Sequence, residues 1–106
     1  MSAYMIIEIE VLDRATYLRY VAQVRDVVEQ HGGRYLTRGG KVAAMFGDWK
    51  PERIILIEFE SSQQARECFS SPEYKAIAPL REKSTRTRAI LVEGETRGPR
   101  GVHRDS

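Results

Sequence analysis

Cysteine occurs once in the 106-residue chain, at Cys68. A lone cysteine excludes an internal disulfide and any metal knuckle of the CxxC type. At helical spacing beside Ala65 and Phe69 it reads as a packing residue. Histidine is almost as scarce: His31 closes a helix and His103 lies near the C-terminus, so no spaced pair exists to ligate a metal. No apolar run approaches the ~20 residues needed to cross a bilayer, and no membrane partner is expected. The opening MSAYMIIEIE has no basic leader, and glutamates interrupt its apolar stretch, so a secretory signal is not expected and cytoplasmic residence is the default. A strong charge of one sign is missing too, with 17 Lys and Arg against 15 Asp and Glu. Half of the net +2 sits in residues 95–106, where Arg97, Arg100 and Arg104 oppose Glu95 and Asp105. Basic and acidic residues alternate elsewhere, so nucleic acid is not an expected partner.

What is present is regular patterning over one domain's length. Residues 1–95 read as a single domain and 96–106 as a polar tail. Tyr4 to Val11 alternates as a strand, with Met5, Ile7, Ile9 and Val11 on one face. Asp13 caps a helix in which Tyr17, Val21, Val24 and Val28 share a stripe, ended by His31-Gly32-Gly33. Gly33 to Phe46 reads as one interrupted strand or two short ones, 34–37 and 42–46, with a bulge or bend at Gly39-Gly40, and Gly47 to Pro51 turns the chain into a strand over 53–60. Ser61 opens a second helix with an S-x-x-Q capping pattern. Ser71-Pro72 restarts it, with Tyr74, Ile77, Ala78 and Leu80 inward, until Pro79 ends or kinks it. A last strand covers 88–93. The order β-α-β-β-α-β with short connections predicts an α+β fold, the ferredoxin-like sandwich of a four-stranded antiparallel sheet with helices on one face.

Such a sheet leaves its other face bare. Tyr4, Ile6, Ile54 and Leu56 fall on that face and are too apolar for water, so a second copy of the chain is the simplest partner, as a C2 homodimer. Glu8 and Glu58 fall there as well. Pairing the midpoints of the first and third strands sets Glu8 opposite about Leu56 and diagonal to Glu58, at roughly 7–8 Å. Two readings stand open for them: a carboxylate pair for general acid/base work, or ion pairs with Arg34, Arg38 or Arg88. Trp49 in its turn either closes a pocket or folds onto its own hairpin or a partner. Tyr35 and Tyr74 offer hydroxyls to a cleft or serve as core aromatics with wet tips.

Over about positions 3 to 95, HGGRYLTRGG, GDWKPERIILIEF, SSPEYKAIAPLR and the closing LVEG resemble a bacterial family of small proteins known only as a domain of unknown function, within the dimeric α/β-barrel superfamily. The resemblance implies the ferredoxin-like fold, as a dimeric α/β barrel, and a homodimer. Members of that superfamily include cofactor-independent monooxygenases, isomerases, haem-dependent enzymes and sensor modules, so fold does not choose among them. RNA recognition is disfavoured because RIILIEFE lacks the aromatics that stack bases. A copper-chaperone reading lacks its CxxC, and a phosphate loop lacks the Walker spacing. The expectation is a small organic ligand in a cavity of each subunit, with no cofactor. In the enzyme form, an isomerase, lyase or monooxygenase, Glu8 or Glu58 moves a proton, and Arg34, Tyr35, Trp49 and Tyr74 contact the substrate. The alternative is a non-catalytic dimeric binding or sensor module.

Overall fold

The alternation that begins the chain becomes β1 (Ala3–Val11) in the computed structural model, which describes residues 2–95. The expected tail over 96–106 lies outside the described residues. Asp13 caps α1 (Arg14–Gln30), its carboxylate accepting from the Thr16 backbone N–H at 3.3 Å and from the Thr16 hydroxyl at 2.7 Å. Gly32, at φ 81°, turns the chain out of that helix. β2 (Arg34–Arg38) and β3 (Arg53–Phe59) follow. Ser61 caps α2 (Ser62–Ser70) through the Gln64 N–H, and Ser71 caps α3 (Pro72–Ser84) through the Tyr74 N–H. β4 (Thr85–Glu93) completes the sheet.

All three strand pairings are antiparallel, in the order β2-β3-β1-β4. This is the ferredoxin-like sandwich that the patterning predicts. Met5, Ile7 and Ile9 of β1 join Ile55, Ile57 and Phe59 of β3 on the helix side. Phe59, Ile57, Val28 and Cys68 are all but fully buried there. Phe69 meets Phe59 and Tyr74 edge-on, with ring centroids 6.0 and 4.9 Å apart.

Two local expectations are corrected. Residues 42–46 form no strand: the chain leaves the sheet after Arg38 at Gly39 (φ 97°), and β3 already spends its free edge on Arg34–Arg38. Residues 39–52 run as a long connection in which Met45 and Phe46 are 80% and 90% exposed. At Gly39-Gly40 the expected bulge or bend is a bend, and a bulge not foreseen lies between Tyr35 and Thr37, leaving Leu36 unpaired. Pro79 does not end its helix, which continues to Ser84. A proline removes one donor, whereas the buried end of α3 gains several bonds: the Ser84 hydroxyl donates to the Leu80 carbonyl, and the Ser84 carbonyl accepts from the Leu12 and Asp13 N–H groups.

Candidate functional site

The two faces of the sheet carry different chemistry. On the face away from the helices, strand register builds cross-strand rows. Leu56, Ile6 and Ile90 make a central apolar row, with Thr37 beyond Leu56. Above it, Glu58 stands opposite Tyr4 and Arg34; below it, Glu8 stands opposite Ile54 and Arg88. The expected diagonal contact between Glu8 and Glu58 is therefore corrected. The β1–β3 register is displaced by two residues from the midpoint pairing, which puts the two carboxylates four residues apart, about 13 Å along the strand.

Each glutamate has its own arginine. Arg34 Nη2 donates to Glu58 Oε1 at 2.6 Å, and Arg88 Nε donates to Glu8 Oε1 at 2.5 Å. The Arg34 hydrogen bond holds the Glu58 carboxyl below its ordinary value against the opposing effect of burial. Arg88, with a smaller contribution from Trp49, does the same for Glu8. Carboxylates lowered in this way stay ionised at neutral pH and make poor proton donors. Trp49 lies over the same face, its indole N–H donating to Glu8 Oε2 at 3.4 Å. Beneath it a shallow depression of about 270 Å³ is lined by Ile6, Ile54, Arg88 and Ile90.

The helix side holds a larger space. Between the sheet and the helices lies a cavity of about 370 Å³, floored by Met5, Ile7, Ile9, Ile55 and Ile57 and roofed by Val21, Val24 and Phe69. Its polar groups are four tyrosines, Tyr17, Tyr20, Tyr35 and Tyr74, and three arginines, Arg38, Arg53 and Arg81, with Thr87 at one wall. Of the residues that the sequence singled out, Tyr35 and Tyr74 line this cavity. Glu8, Glu58, Arg34 and Trp49 belong to the opposite face.

One wall is a hydrogen-bonded chain. Arg81 Nε donates to the Tyr74 hydroxyl at 2.9 Å, and the Tyr74 and Tyr20 hydroxyls lie 3.0 Å apart. Burial, reinforced by Tyr74, pushes the Tyr20 phenol far up. Burial also raises Tyr35 to about 12 and lifts Tyr17 above its ordinary value, against the pull of Arg53 and Arg38. These three phenols are thus protonated donors at neutral pH. At the strand ends, the Arg53 guanidinium lies over the Tyr17 ring at 5.6 Å and the Arg38 guanidinium over the Tyr35 ring at 5.0 Å. Arg38 Nη2 donates to the Val21 carbonyl at 3.2 Å.

Sequence reasoning passed over Tyr20, Arg53 and Arg81 as site residues, and it named Arg38 only as a partner for the glutamates, whereas Arg38 faces the cavity. A signal for two of them was present. Arg53 shares the parity of Ile55, Ile57 and Phe59, and Arg81 falls four residues after Ile77, so each is a charge on an inward-facing stripe. Cys68 is fully buried, and burial raises its thiol to about 11, as a packing role requires.

A family model described as a domain of unknown function (DUF1330) matches residues 2–95. The chain belongs to that family. No curated protein matches it. Among solved structures, it is similar to RPA0582, a protein of unknown function from Rhodopseudomonas palustris, at TM-score 0.74 and 17% identity, over 90% of this chain and 83% of that one. It is also similar to SnoaB, a cofactor-independent oxygenase from Streptomyces nogalater, at TM-score 0.63 and 10% identity over 92% and 97%. A dimeric protein of unknown function and ferredoxin-like fold from Bacteroides fragilis aligns at TM-score 0.53 and 10% identity over 88% and 96%. At these identities the likeness is one of fold. Among the described residues no helix is long and apolar enough to cross a membrane.

Proposed function

We propose that the protein is a homodimer whose subunits each bind a small, flat, largely apolar organic molecule in the cavity between sheet and helices. The bound molecule is transformed without a cofactor, in the manner of an isomerase, lyase or monooxygenase. The observation that carries this reading is the cavity itself: about 370 Å³, within the range of small-molecule sites, with apolar walls and a few convergent polar groups. The solved structures of similar fold include one described as a cofactor-independent oxygenase, which supports the class of chemistry. Tyr74, held between Arg81 and Tyr20, is the residue placed to exchange a proton with a bound molecule. Glu8 and Glu58 take a different role in this proposal, framing the dimer interface with Arg88 and Arg34.

The dimer is supported by the uncovered sheet face, where Ile90 is 59% and Val92 41% exposed. One observation favours a binding or sensor module as a second reading: no carboxylate or imidazole is among the described residues that line the cavity. Incubation with 2-tetralone, an enolisable bicyclic ketone, in deuterated buffer separates the two. Exchange at the carbon beside the carbonyl above the buffer rate, lost in Tyr74→Phe, is the expected result. Binding at cavity amides without exchange selects the sensor module. Absence of any shift at cavity amides would overturn the cavity as the site.

A further inference from the structure

The polar groups of the cavity are nearly all donors. Three guanidiniums line it, and three of its four phenols are held protonated. Against them stand no carboxylates among the described lining residues. Glu52, next to Arg53 in sequence, turns to the Val11 backbone N–H at 3.2 Å, and exposed Glu82 reaches Arg81 only at 3.8 Å. Arg53 Nε is buried and has no hydrogen-bond partner among the described residues. A guanidinium nitrogen taken from water and given no acceptor is unusual, because an unmet buried donor costs more than a bond gains.

Gly39 lies so close that a Cβ there would collide with the Arg53 guanidinium. Arg38 and Arg53 stand on the same face of adjacent strands, because Arg38 pairs with Ile55, two residues from Arg53. Tyr17 feels both arginines and, less strongly, the Glu52 carboxylate. The apolar cavity therefore presents two guanidiniums and a phenol, and that phenol, Tyr17, stacks at 6.2 Å on Tyr20 of the Arg81–Tyr74–Tyr20 chain.

We infer that the ligand is an organic anion: a flat, apolar conjugated body carrying one carboxylate, with the carboxylate received by Arg38 and Arg53 and the body lying between Ile7, Ile9, Val21 and Ile55. Planar forks match a carboxylate with two parallel bonds, and both Arg38 and Arg53 line the cavity. The body then lies against the Arg81–Tyr74–Tyr20 chain, which sets its orientation. This rests on the cavity being the ligand site.

The probes that test it are 2-naphthoate and 2-naphthamide, equal in shape and different in charge, titrated by calorimetry into the full chain with amide NMR shifts to locate them. The acid should bind about tenfold more tightly than the amide, the ratio expected for one charge-assisted fork in place of a neutral contact. Arg53→Met and Arg38→Met should each remove most of that ratio. Arg66→Met, exposed on α2 and outside the cavity lining, should leave it unchanged. Equal affinity of the two probes with shifts at Tyr17 and Ile55 would overturn the anion inference and leave the cavity reading standing. Shifts at neither probe would overturn the cavity reading and this inference together. The comparison in the unmutated chain decides the point even where an arginine variant fails to fold.

Discussion

Tyr4 stands directly across from Glu58 on the open face, and its hydroxyl lies 3.3 Å from the Glu58 carboxylate that Arg34 also holds. Glu8 is four residues further along β1 with Arg88 beside it, and Glu10 with Arg86 lies beyond, so among the described residues three ion pairs border the Leu56–Ile6–Ile90 row, one on one side and two on the other. An apolar row between polar borders suits a surface that meets its own copy about a two-fold axis.

Light scattering should therefore give twice the mass of the chain at micromolar concentration. Leu56→Lys should return it to the mass of one chain, because an unpaired ammonium in the middle of a buried row costs several kcal/mol. An unchanged mass would place the interface elsewhere.

Acid should loosen the open face. Glu58 and Glu8 both have values lowered from 4.5, so each adds stability above the unfolded value, and that stability is lost as pH falls through the lowered one. Melting temperature should fall on acidification below about pH 4.5, more steeply in the unmutated chain than in Glu58→Gln. Parallel curves would mean that the Arg34 pair contributes nothing to folding or assembly.

In the cavity wall, the middle member of the hydrogen-bonded chain matters most. Tyr74→Phe strands both Arg81 Nε and the Tyr20 hydroxyl and should cost about 1–3 kcal/mol in urea unfolding. Tyr20→Phe leaves Tyr74 bonded to Arg81 and should cost less. The reverse order would contradict the chain as drawn.

Gly33 is buried at the turn into β2, where a Cβ would lie 2.5 Å from Val28 Cγ1 and 2.8 Å from Phe59 Cε1. Gly33→Ala should cost about 1–3 kcal/mol, whereas Gly40→Ala, facing open space, should stay within about 0.5 kcal/mol of the original. Paired denaturant titrations compare the two directly.

Periodicity and caps made most of the fold legible. Asp13, Ser61 and Ser71 cap their helices as their types and positions require, and the parity of β1 and β3 sorts core from open face correctly. Register was not legible, because pairing by midpoints has no means of weighing which rows of side chains fit. A shift of two residues keeps every side chain on its face, so alternation is blind to it. That shift moved Glu8 away from Glu58 and dissolved the expected pair. The stretch 42–46 has the composition of a strand but finds no edge within one subunit, and composition does not reveal vacancy of an edge. Arg53 was visible as a charge at an inward position, yet only the packed helices show that a cavity receives it.

The central place of β1 also governs how the molecule can be made. Its partner across the Glu8–Arg88 bond lies 80 residues later in the chain, and Thr87 and Ala89 of β4 line the cavity. A growing chain can pair β1 with β3 and lay α1 and α2 over them, but that intermediate has one side of its apolar floor open to water. Closing so long a loop is slow relative to the local pairing of helices and hairpins. The last strand thus completes the sheet and the cavity in one event, and a chain released before β4 emerges carries an exposed core edge in place of a closed cavity.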